Sequence, residues 1–225
     1  MKGAAVIPNG QPFVVIGGGG SGREVLDVLE AINEVEWTFD ILGVVDDDPS
    51  VQEILSPRGI PFLGSLSSCT VNECAYAIGV SDPRTRAQIA DLAGSKGWLA
   101  QSLIHPTATE AFDVTIGEGT VIAAGARLMN HIVLGRHVHV SLNSTVGHDA
   151  ILGDFVTIYP GVNISGNVIL EEGVSMGTGS AVVQGVTIGR YAVLGAGAVV
   201  VRSLEQGRTY VGVPAKPLPD RGKQA

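Results

Sequence analysis

Five histidines, His105, His131, His137, His139 and His148, are the candidates for proton transfer or metal binding in this 225-residue chain. His148 stands beside a carboxylate, Asp149, in the stretch STVGHDAILGDF. An imidazole titrates near neutrality, so it can take a proton from an attacking amine or hydroxyl; a neighbouring carboxylate can hold the ring and stabilise its charged form. The same spacing also fits a histidine that only contacts a neighbouring subunit and bonds to backbone. His105 precedes Pro106 and reads as a structural or surface residue.

A second chemical signal lies at GGGGSG, which satisfies G-x-G-x-x-G through Gly17, Gly19 and Gly22. The run follows an apolar strand-like segment, PFVVIGG, and opens a helix-like one, GREVLDVLEAI. In that context glycines let backbone N–H groups approach a phosphate, and the helix N-terminus adds a favourable field. Asp46 and Asp47 end the next apolar run, where dinucleotide folds place an acid on ribose hydroxyls. The plain alternative is a tight turn and an acidic loop with no ligand. The segment is too short for a complete six-stranded dinucleotide fold, so a mononucleotide group fits better than NAD.

Two kinds of element must position these residues. From Thr115 the chain divides into fifteen hexads ending at Leu204, with Ile, Leu, Val or Met at every second position. A helix rotates by about 600° in six residues and cannot keep that pattern on one face. Short strands on a three-sided prism can, with eighteen residues to a coil and glycine at corners. The second position then points into the bore. His148, at the fourth position, lies outward or at a corner. Five such coils would stack to roughly 24 Å at the usual strand spacing. His131 and His137 fall on different faces, and no histidine pair has an x4 spacing, so no metal is expected.

The first hundred residues alternate apolar runs (PFVVIGG, FDILGVVDDDPS, ECAYAIGV) with helical patterns (GREVLDVLEAI, PRTRAQIADLAGSKG). The expected architecture is therefore an α/β Rossmann-like domain over 1–103, followed by a left-handed parallel β-helix over 104–225. Aromatics are only 5% of residues and Gly numbers 31, as an aliphatic, turn-rich core requires. The net charge of −8, without a basic cluster, argues against nucleic acid and anionic membranes as partners. Cys69 and Cys74 read as reduced thiols. With no signal-like apolar core near the start, a cytoplasmic protein is expected.

The glycine loop, GHDAILGDF and the closing VGVPAKPL together resemble the sugar O-/N-acetyltransferases of the sialic-acid and bacillosamine type, over roughly 12–217. These include enzymes that N-acetylate nucleotide-linked 4-amino-4,6-dideoxy sugars, such as UDP-4-amino sugars and GDP-perosamine. The resemblance implies a homotrimer with acetyl-CoA bound between neighbouring β-helices. Gly17, Gly19, Gly20, Ser21, Gly22, Asp46 and Asp47 would hold the nucleotide sugar. His148 would be the general base, with Asp149 as its neighbouring acid, in a direct attack without an acetyl-enzyme. Gly166 and Thr178 match positions that line the CoA groove, and Lys216 would meet CoA phosphates. Two positions depart from the pattern. Thr157 stands where some relatives have a second histidine near the thioester, so only its hydroxyl or backbone can donate there. Ser21 stands where many have a histidine in the glycine loop. The alternatives are O-acetylation of a sialic acid or similar sugar and, in a different class, a non-catalytic hexapeptide-repeat assembly protein.

Overall fold

The computed structural model describes residues 10–219. Phe13 to Ile16 are uninterrupted and apolar, which suits a strand covered on both faces. They belong to β1 (Gln11–Ile16), inside a parallel sheet of order β2-β1-β3-β4, with β2 at Phe39–Val45, β3 at Ala75–Ile78 and β4 at Leu99–Ala100. The helix expected after the glycine loop is α1 (Gly20–Val35), which buries Val25, Leu26, Val28 and Leu29 along one stripe. A short helix, α2 (Val51–Leu55), follows the DDDP turn and was not legible in the periodicity. The helix expected from PRTRAQIADLAGS is α3 (Pro83–Ser95); Asp82 caps it by accepting from the Thr85 amide, and Gly97, at φ +79°, lies just beyond its end.

The rest is a left-handed parallel β-helix with three sheets, one for each face of a prism. Its first face carries rungs at 103–104, 121–122, 139–140, 157–158, 175–176, 193–194 and 209–211. The second runs from 109–110 to 199–200 and the third from 114–116 to 187–188. Second-position residues are buried from Ile122 through Val200, and Ile116, in the first hexad, is partly so. The sixth positions, from Thr120 to Leu204, are buried as well, so each edge sends two side chains inward. Each fully buried Val, Leu or Ile contributes about 1.5–3 kcal/mol. Two polar residues inside the bore are satisfied by backbone: Thr120 Oγ1 donates to the Gly135 carbonyl and Ser144 Oγ to that of Tyr159, each at 3.0 Å.

The corners follow one rule. Position five has a positive φ in every hexad from Gly119 to Gly197, including His131, His137, Asn143, Asp149, Phe155, Asn167 and Tyr191. Side chains at these corners stack from coil to coil. The His137 and Phe155 rings lie 5.5 Å apart and nearly parallel, with Tyr76 of β3 on the other side of His137.

The α/β domain packs on the first face of its own prism. Leu103, Val121 and Ala123 share a core with Val25 and Val28 of α1. Arg86 of α3 is fully buried at this junction and, among the described residues, forms no salt bridge with a carboxylate. Its Nε donates to the His137 carbonyl, Nη1 to those of Val80 and Ser81, and Nη2 to those of Phe155 and Val156 and to Thr157 Oγ1. Among the described residues no helix is long and apolar enough to cross a membrane.

Candidate active site

His148 and Asp149 occupy the corner between the second and third faces. Asp149 adopts the left-handed conformation, φ +58°, which Asp tolerates better than most residues with a side chain. The turn brings its Oδ2 to 2.6 Å from His148 Nδ1. With Nδ1 held by the carboxylate, Nε2 is the nitrogen left to take a proton. Side-chain exposure of 40% and 48% leaves both groups accessible to a substrate. The ring lies against Gly166 of the next coil, where a Cβ would come within 2.4 Å of Nε2. Any larger residue there would displace the imidazole. Backbone bonds fix the corner: the Asn167 amide donates to the His148 carbonyl at 2.8 Å, and the Asp149 amide to that of Asn130 at 3.1 Å. One coil earlier the same corner holds a second pair, His131 Nδ1 to Asp113 Oδ2 at 2.8 Å, which periodicity of eighteen could have shown.

The glycine loop is built by close approach. Gly17 has φ +99°, and a Cβ on Gly22 would fall 1.8 Å from the Gly17 carbonyl oxygen. A third glycine, Gly79 after β3, has its Cβ direction blocked by Gly22 Cα, and the sequence reading did not single it out. Gly19 and Gly20 face open space, and Gly19 caps α1 without a side-chain bond. Asp46 Oδ2 accepts from the Gly18 amide at 2.7 Å and Oδ1 from the Asp48 amide at 2.9 Å, so this carboxylate pins the loop. Gly17, Asp46 and Asp47 border a cleft of about 320 Å³ whose other walls include Leu66, Val80, Ile89 and Leu92. Ser21 does not border this cleft but lines a smaller cavity above the prism.

Residues 12–92 match the family described as the PglD N-terminal domain. The acetyltransferase domain of PglB from Neisseria gonorrhoeae FA1090 aligns with a TM-score of 0.83 at 34% identity, over 92% of this chain and 100% of that one. This chain belongs to the sugar O-/N-acetyltransferases of the sialic-acid and bacillosamine type. PerB from Caulobacter crescentus, solved in complex with CoA and GDP-perosamine, aligns with a TM-score of 0.80 at 30% identity, over 96% of this chain and 100% of that one. For WeeI from Acinetobacter baumannii AYE the TM-score is 0.79 at 29% identity, over 92% of this chain and 99% of that one. A comparison with curated protein sequences gives no match.

The positions that family resemblance singled out are dispersed within one chain. Gly166 underlies the His148 ring, but Thr178 is exposed at a different corner, between the first and second faces. Lys216 is exposed on the antiparallel strand that closes the first face. Thr157 lies on the first face under the α/β domain. Its Oγ1 donates to the Ser81 carbonyl at 2.9 Å and accepts from Arg86, while its amide donates to Val174. Both donors are engaged, so neither has a proton for an oxyanion. Arg86 carries no signal in the sequence, and His139 stands there only as one of five candidate histidines, without an assigned role. Arg86 resembles any helix arginine until the prism is placed against it. The place of His139 beside Thr157 is legible, because it sits one coil earlier and pairs with it across the sheet.

Proposed function

We propose that this enzyme transfers the acetyl group of acetyl-CoA to the amino group of a nucleotide-linked amino-deoxy sugar, with His148 as general base. The amine nitrogen attacks the thioester carbonyl, and His148 Nε2 takes the proton that the nitrogen loses. The tetrahedral oxyanion collapses, the C–S bond breaks, and the thiolate leaves to receive a proton as CoA. Asp149 holds the ring through Nδ1 and stabilises the imidazolium. Proximity of two bound substrates supplies most of the rate, and the base contributes about 10²–10⁴-fold. The observation that carries this reading is the 2.6 Å His148–Asp149 contact at an accessible corner, with the ring seated on a glycine. The PglB domain has been solved with acetyl coenzyme A, and PerB with CoA and GDP-perosamine, which supports the same pair of substrates here.

The nucleotide is held by the cleft bounded by Gly17, Asp46 and Asp47, with phosphates at Gly19, Gly20 and the start of α1. That site lies over the first face, whereas His148 projects from the corner of the other two. We therefore assign the working unit to a homotrimer, in which His148 of one protomer meets the sugar held by its neighbour. The third face supports this arrangement: Val133, Ile151 and Ile169 form an exposed apolar stripe beside His148, 45%, 46% and 39% accessible. Acetyl-CoA lies in the groove between protomers, along Gly166 and Thr178, with Lys216 at its phosphates.

His148→Ala and His148→Asn should leave the protein folded and lower turnover at least about a hundredfold. Steady-state kinetics with acetyl-CoA and nucleotide amino sugars check this, and near-normal turnover overturns the assignment.

A further inference from the structure

A cavity of about 70 Å³ lies between α1 and the first face of the prism, separate from the nucleotide cleft. Ser21, Glu24, Ser81, His139, Ser141, Thr157 and Tyr159 give it polar groups, and Val25, Val28, Val121 and Ala123 supply much of the rest. At about 10–15 Å³ for each water-sized group, it accepts the edge of a ring with one or two substituents. Ser21 belongs to the glycine loop, so a sugar leaving a pyrophosphate at that loop is directed toward this opening.

His139 is 8% exposed, and its Nε2 has no hydrogen-bond partner among the described residues. The Ile78 backbone lies against the ring, and we assign the ring proton to Nδ1, directed at it. Burial, reinforced by Arg86 and His137, holds the ring well below its ordinary pKa and therefore neutral. A neutral imidazole protonated on Nδ1 presents only a lone pair at Nε2. Such a group pairs with a donor, and leaving it unpaired in a buried site is costly.

We propose that His139 Nε2 accepts a hydrogen bond from a ring hydroxyl of the acceptor sugar, making this cavity the determinant of sugar recognition. The inference rests on the function proposed above, and it gives His139 a binding task with no part in proton transfer. The nucleotide cleft holds what all acceptors share; the His139 cavity tests the sugar.

Calorimetric binding of UDP, GDP and dTDP, and of each joined to a 4-amino-4,6-dideoxyhexose, tests the proposal. In the wild-type protein one conjugate should bind more tightly than its bare nucleotide. In His139→Phe that advantage should shrink about three- to tenfold, with nucleotide affinity and the KM for acetyl-CoA unchanged. His139→Gln, which keeps an acceptor, should recover part of it. If His139→Phe does not fold, the wild-type protein with conjugates lacking single ring hydroxyls gives the same reading, since removal of one hydroxyl should abolish the advantage. The proposal is overturned if no conjugate outbinds its nucleotide, if the advantage survives in a folded His139→Phe variant, or if no single hydroxyl matters. Failure of the acetyltransferase reading looks different: the conjugate binds, but no CoA is released from acetyl-CoA.

Discussion

At the residue scale, the reactive geometry depends on what surrounds the imidazole as much as on the imidazole itself. Asp149 fixes Nδ1 at 2.6 Å, and Gly166 provides the floor on which the ring lies. An added methyl at 166 would sit 2.4 Å from Nε2, so Gly166→Ala must rotate the ring away from its present position. Because misplacement of a reacting group by about 1 Å can cost a hundredfold, this variant should lose about that factor in kcat. The ring is half-exposed and free to swing out, so the melting temperature should barely move. Parallel kinetics and calorimetry would expose the error if activity persisted. The sequence presented His148 and Asp149 as neighbours, but neighbours on a strand would point to opposite sides. Only the left-handed φ of Asp149 turns the carboxylate back onto the ring.

At the scale of elements, the hexad is an inward pair plus a left-handed corner. Glycine meets the corner without strain, whereas an L-residue with a Cβ pays roughly 1–2 kcal/mol, less for Asn and Asp, whose side chains bond locally. Asn167 occupies the corner below Asp149 with φ +56°. Asn167→Ala should therefore lower stability by about 1 kcal/mol, a fall of about 2–4 °C in a domain of this size, while Asn167→Gly should leave it nearly unchanged. Equal melting temperatures for the two variants would contradict the strain argument. The repeat was legible because burial acts at every second position without a slip. The left-handed corner at position five was not, since His, Phe and Tyr stand there as well as Gly and Asn. What admits the aromatics is stacking between coils, as with His137 on Phe155. Linear spacing shows that only once the coil length of eighteen is applied.

For the molecule as a whole, the interface between the α/β domain and the prism concentrates buried polar groups. His137 is stacked there and pushed down to about 4, chiefly by burial and then by the charges of Arg86 and Arg136. The unfolded chain binds a proton at this histidine near 6.5, and the folded protein does not until about 4. Unfolding therefore takes up protons in that window. Stability is full above about pH 6.5 and falls as the pH drops toward 4. The melting temperature should be lower at pH 5 than at pH 7.5. His137→Asn, which tolerates the corner and stays neutral, should show a shallower dependence even if it is less stable throughout. An unchanged slope would assign the acid sensitivity to other groups.

The amino-acid sequence by itself determined the β-helix, the α/β strands with their two main helices, the glycine loop and the His148–Asp149 pair. Each rests on local periodicity or adjacency, where burial and backbone geometry act within a few residues. Tertiary structure alone decided which groups face one another across the chain. Arg86 reaches carbonyls 51 to 70 residues away, and Thr157 bonds to Ser81 across 76. These contacts exist because the α/β domain settles on one particular prism face. That choice is made by the summed burial of Leu103, Val121 and Ala123 against α1, not by any motif. The same docking buries the unpartnered His139 Nε2 beside the cavity under α1 and leaves the His148–Asp149 corner exposed.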